Sequence, residues 1–374
     1  MEPSSTINEK SSSTRTLILN LDYLGACRGA CSGCLLTDQE RQSGDPFLEE
    51  PHLEKALKEI PHQKTTHEQI HLILAVGRGD TLGLNEAQWC KIFEFARKVK
   101  EKISPKQFTL ECSTGLIGKI DQRLERALWA IRAFGPELRF VVAANSDAYS
   151  KAYWKNVNLF FKTLMQARGG QHKENSGDIL VLNLNSDRLP SLQETISRIE
   201  SYPFPINIAW LPFHLTEKSV REDAARWLLG FYQWANQNKK DCNLVNLSKA
   251  SISRQPSLWE ALNTLEQNRT SVWWFTKETG WFSGAFSPLG DLDFIRLNQK
   301  MNMGIQNLSS QMVRKQILTK PTCKTCTYLN PCVESGTFLQ GLFSTKSTTQ
   351  ECPNGMNLVF KTITENQRHH NEQS

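Results

Sequence analysis

Long apolar runs are missing from this chain. Its 374 residues contain no unbroken apolar stretch of about eighteen, so no membrane-spanning helix is expected. The opening MEPSSTINEKSSSTRT is polar and serine-rich and lacks the apolar core of a secretory signal. Both absences point to a cytoplasmic protein that does not work in a membrane. A concentrated basic face is also missing. Lys and Arg number 44 against 38 Asp and Glu, a net +6, and the charges are scattered. A nucleic-acid partner, which needs a clustered basic surface, is therefore not expected. No short solenoid repeat occurs. Ten cysteines over this length fall short of the density of a small secreted disulfide scaffold.

Those cysteines are grouped, and grouping favours metal ligation in a reducing compartment. Cys27, Cys31 and Cys34 stand in CRGACSGC, a C-x3-C-x2-C string just after the strand-like run Leu17-Ile18-Leu19-Asn20-Leu21. Three close thiolates can hold three irons of a [4Fe-4S] cluster and leave the fourth open to a substrate or cofactor. The competing readings are weaker. Zinc wants four ligands, and no partner pair stands nearby. A disulfide leaves one thiol over, and three cysteines in so short a stretch exceed what packing needs.

The first two-thirds of the chain alternates two periodicities. Branched apolar runs at 17–22, 69–76, 107–112, 138–144, 178–184 and 206–211 read as strands. Helical patterns lie between them. Residues 86–99 put Trp89, Phe93, Ala96 and Val99 on one face behind a candidate Asn85 cap. Residues 121–133 do so with Leu124, Leu128 and Ile131. Strand and helix in alternation make a parallel sheet with crossover helices, an α/β fold. Trp227, Leu228, Phe231 and Trp234 mark a helix that closes this region. The aromatic run SVWWFTKETGWFSGAF reads as a hairpin opening a second, smaller domain, its Trp273, Trp274, Phe275, Trp281 and Phe282 either packed in a core or lining a substrate entry. Residues 1–14 and 367–374 read as disordered tails. Cys90 is expected to be a small buried hydrophobe. Cys112 and Cys242 stay ambiguous.

A second cysteine group lies near the C-terminus: Cys323-x2-Cys326-x5-Cys332, then Cys352. Four thiolates form a complete set for a closed [4Fe-4S] cluster or a structural zinc. Either metal would tie a small domain with little core of its own.

The N-terminal triplet, in its place after a first strand, resembles the signature of the radical S-adenosylmethionine (SAM) superfamily. The resemblance implies a partial (β/α)6 barrel in which the open iron chelates SAM. An electron then yields methionine and a 5′-deoxyadenosyl radical, with chemistry at the C-terminal ends of the strands. Gly33 stands where relatives usually carry an aromatic residue. By the same resemblance AVGRGDTL, after strand two, sets Gly79 and Asp80 on a G-G-E-P-like segment, with Arg78 and Thr81 as departures. Ser113 and Gly115 match a turn bordering SAM. Asn145 or Ser146 offers a hydrogen bond to its ribose. The later cysteines resemble the SPASM or twitch extension of peptide- and protein-modifying members. Gly336 replaces one further cysteine of that pattern, so the resemblance implies one auxiliary cluster, held by Cys323, Cys326, Cys332 and Cys352. Zinc is the alternative there.

The resulting expectation is an oxidoreductase-type radical SAM enzyme with a peptide or protein substrate and an electron donor such as flavodoxin or ferredoxin. The barrel spans 15–238, a bridging region and hairpin 239–310, and the auxiliary-cluster domain 311–366. Asp291 and Asp293 are candidate proton acceptors. The rival is a metal-stabilised binding or regulatory protein on the same scaffold, without turnover.

Overall fold

The computed structural model describes residues 14–22, 49–60, 69–77, 80–145, 150–169, 177–185, 189–202, 204–211, 218–246, 270–276, 280–283, 318–329, 352 and 356–372. Six strands run parallel and pair in sequence order: β1 (Thr14–Asp22), β2 (Gln69–Gly77), β3 (Gln107–Thr114), β4 (Leu138–Asn145), β5 (Ile179–Asn185) and β6 (Ile206–Leu211). A helix follows each: α1 (Glu50–Lys58), α2 (Glu86–Ile103), α3 (Ile120–Phe134), α4 (Lys151–Ala167), α5 (Leu192–Ile199) and α6 (Lys218–Gln237). The sheet curls into a half-barrel: the α/β parallel sheet expected from the alternating pattern, in the partial (β/α)6 form that the resemblance implied.

Alternation along each strand builds two faces. Leu19, Leu72, Leu74, Leu110, Phe140 and Leu182 are fully buried on the helix-covered face. Trp89 of α2 meets Phe140 edge-on, with ring centroids 6.4 Å apart, and Phe160 of α4 meets it from the other side at 5.9 Å. The opposite face lines the hollow of the half-barrel.

Helix starts follow local chemistry. Asn85 caps α2 in a reciprocal box: the Gln88 amide donates to Asn85 Oδ1 at 2.9 Å, and the Asn85 amide donates to Gln88 Oε1 at 3.0 Å. The apolar face of α3 is rotated from the expected one. Ala127 and Ala130 are fully buried there, with Leu124 and Ile131 packed beside them. Two alanines let this helix lie close to the sheet. Cys90 is exposed, contrary to expectation, because it sits one position round the helix from the buried Trp89.

The aromatic run does form a hairpin, β7 (Thr270–Thr276) against β8 (Gly280–Ser283). Instead of standing apart, β7 pairs parallel with β1 and extends the barrel sheet to eight strands. The physical reason is the edge of β1, whose backbone groups would otherwise lack partners. Phe275 is fully buried and Trp281 nearly so, so these two aromatics are core.

Near the C-terminus a short helix α7 (Pro321–Lys324) precedes the long α8 (Met356–Glu372), which packs on α6. The stretch 367–372, expected as a tail, belongs to α8. Burial of Val359, Phe360 and Ile363 anchors the helix, and extending a formed helix adds one hydrogen bond per residue. Among the described residues no helix is long and apolar enough to cross a membrane.

Candidate cofactor site

The C-terminal ends of β2 and β3 build a tightly bonded rim. Asp80 follows β2 and is 3% exposed. Thr114, the last residue of β3, donates its hydroxyl to Asp80 Oδ1 at 2.6 Å and accepts the Leu116 amide at 3.0 Å. Thr81 reaches across to donate to the Ser113 carbonyl at 2.8 Å. Arg123, in the first turn of α3, lies 3.1 Å from Asp80 Oδ2 through Nη2. Its Nε and Nη2 also donate to the Ile117 carbonyl at 2.9 and 2.6 Å.

This rim is sterically tight. A Cβ on Gly83 would lie 3.2 Å from the Arg123 guanidinium, and one on Gly118 3.4 Å from it. Gly118 has φ +109°, and buried Leu116 is held at φ +53°, a sparsely populated region for a branched residue. Burial raises the Asp80 carboxyl above its ordinary value. The Arg123 charge, the Thr114 hydroxyl and the Leu82 and Ile117 backbone oppose that rise.

Ser113 stands at this rim with its carbonyl engaged by Thr81. Asn145 ends β4 and pairs in register with Asn183 of β5. Gly79 and Ser146 lie outside the described residues, as do Asp291 and Asp293. So do Cys27, Cys31 and Cys34, in the segment that joins β1 to α1. The strand that precedes them in sequence ends at Asp22, in register with Gly77 of β2. The rim beside that strand end is polar, rigid and glycine-bearing, and so suits a charged cofactor.

Below the rim the hollow carries a charged pair that the strand pattern did not single out. Arg139 Nε donates to Glu111 Oε2 at 2.8 Å, and its Nη2 donates to the same oxygen. One row of register joins Asn20, Ala75, Glu111 and Arg139 across four strands. His71 bonds Thr109 at 3.1 Å just beneath. Gln107, Thr109, Glu111 and Ser113, polar at every second position of β3, were the available signal. Of the ambiguous cysteines, Cys112 is fully buried on the helix side of β3 and Cys242 is buried beside β6.

The second cysteine group is partly assembled. Cys323 and Cys326 sit on and just after α7, where the Cys326 amide donates to the Cys323 carbonyl at 3.3 Å. Burial, then the neighbouring Cys352 and Cys326, push the Cys323 thiol up to about 12. Burial chiefly, with Cys352 adding to it, pushes Cys326 up to about 11. The C-x2-C pair on one short turn offers soft thiol donors, the ligand type a thiophilic metal takes. Among the described residues, no three His, Cys, Asp or Glu side chains are closed into metal-holding geometry. Cys332, the fourth member, lies outside them. Tyr328 stacks on Phe360 of α8 with centroids 6.2 Å apart, which fastens the Cys323–Cys326 turn to the barrel.

No family model matches the chain, and no curated protein matches it. Solved structures do. Native anSMEcpe with bound AdoMet aligns over 93% of this chain and 96% of its own, at 12% identity and a TM-score of 0.55. The hexahistidine-tagged form with bound AdoMet aligns over 94% and 92%, at 14% identity and 0.51. The fold is that of anSMEcpe. Native anSMEcpe with bound AdoMet and a peptide aligns over 63% of this chain and 65% of that one, at 12% identity and 0.43.

Proposed function

We propose that this chain is a radical SAM enzyme acting on a peptide or protein. One observation carries the reading: a C-x3-C-x2-C trio directly follows the first strand of a half-barrel whose fold is that of a protein solved with AdoMet. The SPASM-like spacing of the later cysteines supports a peptide or protein as the substrate class. Cys27, Cys31 and Cys34 would hold a [4Fe-4S] cluster, which would supply the electron for reductive cleavage of SAM to methionine and a 5′-deoxyadenosyl radical.

The chain's own residues position and shield this chemistry. Gly79, Asp80, Ser113, Asn145 and Ser146 are assigned to SAM contact at the rim. The hollow of the half-barrel, lined by Asn20, Ala75, Glu111 and Arg139, keeps the radical away from bulk water. Cys323, Cys326, Cys332 and Cys352 hold one auxiliary metal, a second [4Fe-4S] cluster in preference to zinc. A division near 310 follows the same reading, with the 239–310 region joined to the barrel through β7. So do a cytoplasmic location and a flavodoxin- or ferredoxin-type donor.

The test is anaerobic reconstitution and reduction in the presence of SAM. 5′-Deoxyadenosine is expected from the parent and not from Cys31→Ala. A fully iron-loaded parent that leaves SAM intact overturns the reading. That result would favour a metal-stabilised binding protein without turnover. One observation speaks for this rival: the Asp80 carboxylate already engages Thr114 and Arg123.

A further inference from the structure

Among the described residues, two arginine–aspartate pairs are buried in the barrel, one at each pole. Arg168 and Asp178 sit at the N-terminal ends of the strands. Arg168 Nε donates to Asp178 Oδ2 at 2.8 Å, Asp178 Oδ1 accepts the Phe140 amide at 2.8 Å, and Arg168 Nη2 donates to the Leu138 carbonyl at 2.7 Å. Arg123 and Asp80 sit at the opposite, C-terminal pole. The first pair ties strand starts together, far from any chemistry of this fold. The second ties together the two loops that border the proposed SAM site.

The geometry at the upper pole is specific. Asp80 belongs to the segment after β2, and Ile117 to the loop after β3. Arg123 engages both at once, and its guanidinium fills the space between Gly83 and Gly118. Thr114 closes the circuit from Asp80 to the Leu116 amide, in the loop whose backbone is held at positive φ. We infer that Arg123 is a positioning residue for SAM, locking the β2 and β3 rim loops into one rigid cradle through Asp80, Thr114 and the Ile117 carbonyl. Asp80 acts on the cofactor through this lock. Thr114 fixes Asp80 Oδ1, while Oδ2 faces Arg123 at 3.1 Å and makes no hydrogen bond of its own among the described residues.

This inference rests on the proposed function, and the lower pair serves as its internal control. Arg123→Met and Arg168→Met each leave a buried aspartate without its arginine and are expected to destabilise the fold to a similar degree. Only Arg123→Met is expected to weaken SAM binding to the reconstituted protein, by about ten- to a hundredfold in Kd measured by calorimetry. It is also expected to speed hydrogen exchange at the Leu84 and Leu116 amides. Arg123→Lys keeps the charge but loses the fork onto Ile117, so partial recovery of SAM affinity is expected. Equal SAM affinity in Arg123→Met and Arg168→Met, at matched stability, overturns the inference while leaving the proposed function intact. A parent that binds no SAM overturns both.

Discussion

The indole N–H of Trp281 donates to the carbonyl of Ala56 at 2.7 Å, across 225 residues of sequence. The bond joins β8 to α1, the helix that follows the segment bearing Cys27, Cys31 and Cys34. Trp281 also packs on Phe275, with centroids 5.3 Å apart. The aromatic hairpin thus braces the early part of the barrel. Trp281→Phe keeps most of the apolar volume and removes the donor. A loss of about 1 kcal/mol in denaturant unfolding is expected, since the buried Ala56 carbonyl loses its partner. An unchanged midpoint would show that this bond does not matter.

The Asn85 box lies on the outside of the barrel, and both of its hydrogen bonds are exposed. Asn85→Ala should cost about 1 kcal/mol of stability through α2. On the proposed function, SAM cleavage measured at a temperature where both proteins are folded should stay at the parent level.

Metal content separates the two cysteine groups. On the proposed reading the parent carries roughly eight irons per chain, and a Cys323→Ala/Cys326→Ala variant roughly four, as two cubane clusters demand. Zinc released by that double variant, with iron unchanged, would assign zinc to the C-terminal site instead.

His71 gives a pH signature. Burial first, then the Arg139 charge, holds its imidazole below the usual 6.5. As pH falls through 6.5 the unfolded chain takes up this proton before the folded one does. The unfolded state then binds more protons, so stability falls with falling pH in that window and recovers as pH rises. His71→Gln should flatten the stability–pH curve just below 6.5. An identical curve would show that His71 titrates alike in both states.

Much of the scaffold was legible in the chain because its signals are local. Alternating apolar runs placed all six barrel strands, and Asn85 as a candidate cap placed the start of α2. Asp80 and Ser113 were reached through motif position. Arg123, which holds their two loops together, was not. Nothing in its local sequence distinguishes it from the other arginines of α3. Glu111 and Arg139 escaped notice for the same reason: their pairing exists only once β3 and β4 lie side by side.

By itself the sequence determined the strand–helix alternation, the two cysteine groups and the caps. Each depends on residues within a few positions of one another, where spacing already fixes geometry. Tertiary structure alone decided that β7 would cover the edge of β1, that α3 would bury alanines, that Cys90 would face outward and that Asp80 would be held by Arg123. Those outcomes turn on which surfaces meet across the fold, and a linear order of residues does not specify such meetings until the sheet has closed.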